Sequence, residues 1–193
     1  MKIGITGGIG SGKSYVCRQL ARHGIQVYDC DTAAKRLIRT SPDIMEGLMT
    51  LIGPDTYLDG QLNKAAVAHF LLESDANAKA IDDIVHPAVF RDFEQSGLLW
   101  MESAILFESG INRLVDRVVV VTAPEEVRIQ RVMLRDGISR EKAQEWMQRQ
   151  WPQEKVRQLA QYEIINDGRQ DLDSQIADLL QKLSNTRNTH QLL

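Results

Sequence analysis

Short apolar runs alternate along this chain with longer stretches of 3.6-residue periodicity, the pattern of an α/β protein. Residues 3–6 read as a buried strand, and residues 13–23 as a helix that Gly24 ends with a left-handed cap. Residues 25–28 read as a second strand, and a third lies within residues 97–106. The plainest is residues 116–122, where Val118, Val119, Val120 and Val121 follow one another. Four valines in a row need cover on both faces, as in a parallel sheet. Pro124-Glu125-Glu126 then opens a helix, with proline tolerated in the first turn and two carboxylates complementing the dipole. Residues 162–165 predict the last strand and Asn166-Asp167-Gly168 a turn. Ile176, Leu179, Leu180 and Leu183 make the apolar face of a closing helix, and the polar residues 184–193 are expected to fray.

Between the second and third strands lie about seventy residues, 31–96, without a strand signal, far longer than an ordinary crossover. Four helical stretches fall inside them, residues 32–39, 43–52, 64–73 and 76–85. A helical insertion at this place in an α/β sheet is where a substrate-binding subdomain sits. The chain shows no internal repeat and no low-complexity segment.

A length of 193 residues suits one compact domain. The formal charge of −3 argues against a protein that coats nucleic acid, which needs a basic surface. No apolar run approaches the roughly 20 residues of a membrane helix. The apolar stretch at the start is too short for a secretory signal, and two cysteines, Cys17 and Cys30, suit a reducing compartment. These features predict a cytoplasmic protein that is partnered with neither nucleic acid nor membrane; a monomer acting on a small-molecule substrate is expected.

The strongest local signal is Gly7-Gly8-Ile9-Gly10-Ser11-Gly12-Lys13-Ser14, which fits G-x-x-x-x-G-K-[ST] between a strand and a helix. Backbone N–H groups that converge on phosphate oxygens need glycines without side-chain obstruction and free to take positive φ. The helix N-terminus adds its dipole, Lys13 a cation for the β- and γ-phosphates, and Ser14 a hydroxyl for Mg²⁺. The loop therefore predicts a nucleoside triphosphate and Mg²⁺ as its ligands.

Other residues carry candidate chemistry. Asp29 and Asp31 follow the second strand; if extended, they point to one side, placed to accept a proton or hold Mg²⁺ through water. The alternative is that one of them caps the following helix. Glu102 ends the third strand as a Walker-B-like carboxylate, and Glu108 follows in a loop where a solvated role is the alternative. Arg128, Arg131 and Arg135 share one helical face at i, i+3 and i+7. No acid shares that row, which favours an anion joining the three over a solvated face of ion pairs. A second helix, residues 140–150, completes a hairpin suited to cover phosphates.

Taken together, these residues resemble those of the dephospho-CoA kinase family. The resemblance rests on residues 4–14, Asp29-Cys30-Asp31, Ile84-Val85-His86-Pro87, Leu106-Phe107-Glu108, Arg131, Arg135-Asp136-Gly137, Gln150 and Ile165-Asn166. It implies a P-loop NTPase fold, three layers α/β/α around a five-stranded parallel sheet. It further implies a core of about residues 1–31, 97–124 and 160–184, a CoA-binding helical insertion at 32–96, a lid at 125–159 and a polar tail at 185–193. The reaction it implies is ATP-dependent phosphorylation of the ribose 3′-hydroxyl of dephospho-coenzyme A. Asp31, Lys13 and Arg131 become the catalytic set. Gly8, Ile9, Gly10, Ser11, Gly12, Lys13, Ser14, Tyr15 and Arg135 become the ATP set, and Asp29, Asp31, His86 and Glu108 the substrate set. Ser14 and Glu102 become the metal ligands. For His86, a proline-set helix boundary with a structural histidine is the alternative.

The chain departs from the family at Tyr15, where threonine is usual, and at Glu102-Ser103-Ala104-Ile105, where an aspartate is common. Trp146 and Lys64 stand where the family has arginines. Another P-loop nucleoside or small-molecule kinase is the rival enzyme. A nucleotide switch is disfavoured, because Asn63-Lys64-Ala65-Ala66 lacks the aspartate of a guanine-reading motif and precedes the strands where one belongs.

Overall fold

The computed structural model describes residues 1–190, and the side chains of all of these except Asp75 and 187–190. Contacts divide the chain into two compact units, one of residues 1–27 and 98 onward, the other Tyr28–Gly97.

In the first unit β1 (Ile3–Thr6) leads through the glycine loop into α1 (Lys13–Arg22), and β2 (Val27–Asp29) leaves it. The chain returns as β5 (Trp100–Glu102) and β6 (Arg117–Thr122). It then forms α6 (Glu125–Asp136), α7 (Arg140–Gln148), α8 (Gln153–Leu159), β7 (Tyr162–Ile165) and α9 (Leu172–His190). Five strands form one sheet in the order β2-β5-β1-β6-β7. Ile3 lies opposite Trp100 on one side and Arg117 on the other, and Val119 opposite Tyr162, all in parallel pairs. Ile3, Ile5, Val119, Val121 and Ile164 face Val16 and Leu20 of α1 and Ile176, Leu179 and Leu183 of α9 in one buried cluster. On the opposite face of β1, a Cβ at Gly4 would lie 2.7 Å from Leu106 Cδ1, so that side is covered too. All four valines of β6 are buried, as a two-sided strand requires.

The second unit holds α2 (Cys30–Thr40), α3 (Pro42–Ile52), a short hairpin of β3 (Tyr57–Leu58) and β4 (Gln61–Leu62), α4 (Lys64–Glu73) and α5 (Asp75–Ser96). Val85, Val89 and Phe93 of α5 and Ile44 and Leu48 of α3 are buried, and the two helices pack on each other. Tyr28 packs edge-on against Phe93, with ring centroids 5.4 Å apart. Its hydroxyl donates to Asp92 at 2.6 Å, and Arg36 donates to the same carboxylate oxygen at 2.6 Å. Burial pushes the Tyr28 phenol well up. Partial burial would raise the Asp92 carboxyl, but the bonds from Arg36 and Tyr28 outweigh it and hold the group below its ordinary range.

Several expectations are corrected. The insertion does contain strands: Asp59 (φ 49°) and Gly60 (φ 76°) make a tight turn that pairs Tyr57 with Leu62. No helix boundary falls at His86-Pro87, since α5 runs through Pro87 to Ser96. An interior proline costs a helix roughly 3 kcal/mol. Burying Val85, Val89 and Phe93 at about 1.5–3 kcal/mol each outweighs that. The helix foreseen at 140–150 ends at Gln148, and α8 follows Pro152. Where residues 184–193 were expected to fray, α9 continues to His190; residues 191–193 lie outside the described residues. Among the described residues no helix is long and apolar enough to cross a membrane.

Candidate active site

The loop between β1 and α1 is built around positive φ. Gly10 stands at 79° and Gly12 at 92°, where an L side chain is strained. Space is equally restricted. A Cβ at Gly8 would meet Arg128 Nη2 at 2.2 Å, and one at Gly10 the Arg128 carbonyl oxygen at 2.5 Å.

The carbonyls on the outer limb of this loop are tied back. Arg128 Nε donates to the Ile9 carbonyl at 2.9 Å. Arg131 Nη1 donates to the Gly10 and Ser11 carbonyls at 3.4 and 3.3 Å, and Asn166 Nδ2 to the Ser11 carbonyl at 2.9 Å. In a trans peptide the C=O and the next N–H point in opposite directions. Holding the carbonyls of Ile9 and Ser11 therefore aims the N–H groups of Gly10 and Gly12 the other way, as a phosphate cradle needs. Ser11 Oγ is fully buried and unpartnered, a further polar group beside that cradle.

Lys13 opens α1 and is almost wholly buried. Its Nζ donates to the Gly7 carbonyl at 2.7 Å and lies 4.0 Å from Glu102 at the end of β5. Desolvation lowers the amine below its ordinary value, with Glu102 opposing the shift and Arg128 adding to it. Ser14, the next residue, is exposed. Tyr15 is exposed as well, with Arg18 5.6 Å from its ring centre. Trp146 packs on the Ile129, Val132 and Ala143 cluster that joins α6 to α7, and Ile9 packs there too.

The arginine row does not act as one face of three equivalent cations. Arg128 is buried under the loop, its guanidinium lowered by desolvation and partly compensated by Glu125. Arg131 spans the loop carbonyls and Asn166 Oδ1, the last at 3.4 Å. Arg135 does have an acid beside it: the Asp136 carboxylate takes its guanidinium at 2.7–3.1 Å, which corrects the reading that no acid shares the row.

The two aspartates are separated because Cys30 begins a helix instead of prolonging the strand. Asp29 is its N-cap, accepting from Thr32 N at 2.9 Å and Thr32 Oγ1 at 2.8 Å. Asp31, in the first turn, pairs with Lys35 at 2.5 Å, both side chains largely exposed. His86 stacks on Phe90 at 6.1 Å within α5 and lies 3.5 Å from Asp82. Glu108 accepts from Trp151 N at 3.1 Å. Lys64 is simply the first residue of α4, which Asn63 caps.

Sequence reasoning named Gln150 and Asn166 without a role, and these two hold the loop: Gln150 Oε1 accepts from Ile9 N at 2.7 Å. A separation of 141 residues leaves no local pattern that could have shown it.

A parallel sheet, a glycine loop whose carbonyls are tied back, and a buried lysine at the start of the following helix define a P-loop nucleotide-binding protein. The solved shikimate kinase from Bacteroides thetaiotaomicron has the same fold, at a TM-score of 0.55 over 95% of this chain and 98% of that one, with 14% identity. The sequence model described as dephospho-CoA kinase matches residues 1–171. The chain is 40% identical over 187 residues to the dephospho-CoA kinase of Bacteroides fragilis, covering 93% of this chain and 91% of that protein. It is 46% identical over 164 residues to that of Porphyromonas gingivalis, covering 82% and 80%. The crystal structure of TT1252 from Thermus thermophilus superposes with a TM-score of 0.79 at 32% identity, over 96% and 97% of the two chains. The chain belongs to the dephospho-CoA kinase family.

Proposed function

We propose that the chain transfers the γ-phosphoryl group of ATP to the ribose 3′-hydroxyl of dephospho-coenzyme A, giving coenzyme A and ADP. The observation that carries this reading is the loop 7–14, its carbonyls tied back by Arg128, Arg131 and Asn166, in a chain of this family. The amides of Gly10 and Gly12 and the N-terminus of α1 hold the phosphates of ATP. Lys13, released from the Gly7 carbonyl, meets the β- and γ-phosphates. Arg131, bound through bonds of 3.3–3.4 Å, is free to exchange them for a phosphoryl oxygen, and Arg135 supports it from the next turn.

Ser14 and Glu102 are the residues that would hold Mg²⁺. One hydroxyl and one carboxylate fit an ion that takes few protein oxygens and completes its shell with phosphates and water. Bound there, the ion neutralises charge on the transferring group.

Four residues were candidates for the acceptor. Asp29 is occupied as a cap, Glu108 accepts from Trp151 N, and His86 stacks within α5. Asp31 pairs with an exposed lysine, a contact worth about 0–1 kcal/mol and readily given up. The base is Asp31: it takes the proton of the 3′-hydroxyl as the oxygen bonds to the γ-phosphorus and the bond to the β–γ bridging oxygen breaks. A net charge of −3 supports a small solute rather than nucleic acid as partner.

Coupled ADP release with ATP and dephospho-CoA tests the reading, beside a panel of nucleoside monophosphates and shikimate. No release above background with dephospho-CoA, or faster release with another acceptor, overturns it. Asp31→Asn is expected to lower kcat by about 10²–10⁴ with ATP affinity retained.

A further inference from the structure

The Gly8–Ile9 peptide of the phosphate loop is held from both sides. Its N–H, on Ile9, donates to Gln150 Oε1 at 2.7 Å, and its C=O, on Gly8, accepts from Ser11 N at 3.1 Å. The next peptide is fixed by Arg128 Nε on the Ile9 carbonyl at 2.9 Å. The Ile9 side chain lies in the α6–α7 cluster with Trp146 and Met147. Gln150 is itself placed by its neighbour: Trp151 N donates to Glu108 at 3.1 Å, and Lys155 Nζ sits 3.2 Å over the Trp151 ring. Two consecutive residues just beyond α7 thus join the loop and the segment after β5.

We propose that Gln150 is a positioning residue for ATP, which orients the Gly8–Ile9 peptide and with it the amides that receive the phosphates. The inference rests on the reading of residues 7–14 as the ATP loop. Its physical basis is the coupling of peptide planes. With the Ile9 N–H held by Gln150 and the Ile9 carbonyl by Arg128, both peptide planes flanking Ile9 are fixed and its φ and ψ with them, so the Gly10 N–H keeps its direction. Without Gln150 the Gly8–Ile9 plane is restrained from one side only, and ATP must order the limb on binding, which weakens affinity. The acceptor has no part in this, so its binding is expected to be indifferent to the change.

The test uses the full chain with Gln150→Met, which keeps the side chain's length and removes the oxygen acceptor. Gln161→Met is the control, because Gln161 Oε1 accepts from Val118 N at 2.8 Å, a bond of the same kind away from the loop. Titration calorimetry of Gln150→Met is expected to show Kd for Mg-ATP raised about three- to tenfold, the loss of one hydrogen bond. Kd for dephospho-CoA is expected to stay unchanged, and KM to split the same way. Gln161→Met is expected to lower Tm about as much with neither Kd altered. Amide exchange read by NMR is expected to quicken at Ile9 in Gln150→Met. Unchanged ATP affinity in Gln150→Met overturns the proposal, as does an equal loss for both ligands or the same split in Gln161→Met. A wild-type chain that binds no ATP overturns the loop reading, and this inference with it.

Discussion

Replacing Gly8 by alanine puts the new Cβ 2.2 Å from Arg128 Nη2 and 2.8 Å from Cζ, where ordinary contact begins at 3.4 Å. The guanidinium must retreat by more than about an ångström, which takes Nε out of reach of the Ile9 carbonyl now 2.9 Å away. Losing a hydrogen bond from a charged donor costs about 1.5–3 kcal/mol. Arg128→Ala alone removes the same bond and empties a buried site, for a loss on the order of 3 kcal/mol. In that background the three atoms nearest an alanine Cβ at position 8, all of the Arg128 guanidinium, are gone. Gly8 does not need positive φ, so the second substitution is close to neutral, or stabilising by about 0.4–1 kcal/mol through the unfolded chain. Urea unfolding of the wild type, both single variants and the double variant therefore gives a coupling of about 2–3 kcal/mol. Gly10→Ala is the contrast: its φ of 79° and the Arg128 backbone oxygen at 2.5 Å remain whatever side chain position 128 carries. Gly8→Ala costing the same with and without Arg128, or Gly10→Ala being rescued by Arg128→Ala, would refute the packing of Arg128 under the loop.

Two other groups give pH-linked predictions. Burial lowers the Lys13 amine from 10.5, so above the lowered value the unfolded chain binds more protons. The free protein is then expected to gain stability from this group as pH climbs toward 10.5, and Lys13→Met to abolish that gain; equal slopes in urea titrations of the two proteins would contradict it. Asp92 has the same sign in a lower window, with its carboxyl held below 3.8. Its contribution is present above that value and lost as pH falls through the lower one. Asp92→Asn, which keeps an acceptor for Tyr28 but loses the Arg36 ion pair, is expected to cost about 1 kcal/mol at neutral pH and nothing in strong acid. A constant deficit across that range would exclude the pairing as its cause.

Sequence reading located β1 and β7 to the residue because their signals are local: an apolar run, and a run before a turn. It missed the β3–β4 hairpin although Asp59-Gly60 is a strong tight-turn pair, since only two residues on each side are paired and no alternation of apolar residues flanks them. Helix α5 outran its expected end for another reason. The penalty of Pro87 is visible in sequence, but the burial of Val85, Val89 and Phe93 that exceeds it belongs to packing against other elements. Asp29 and Asp31 show how little separates two readings. One residue of strand given over to helix at Cys30 turns a paired acidic site into a cap and a first-turn carboxylate.

The arginines carry the same lesson to the site. Periodicity puts Arg128, Arg131 and Arg135 on one face, yet a shared face does not fix what each guanidinium meets. Depth does: Arg128 lies under the loop, Arg131 along its edge, and Arg135 in solvent against Asp136. The loop motif is legible because its demands, positive φ and absent side chains, are met within eight consecutive residues. The atoms that hold it in shape come from positions 128, 131, 150 and 166, more than a hundred residues away. A glycine-rich loop is free to take many conformations, and this freedom is why it needs polar anchors elsewhere in the chain. A match to the motif therefore identifies where phosphates bind, while the affinity for them depends on residues that no local pattern contains.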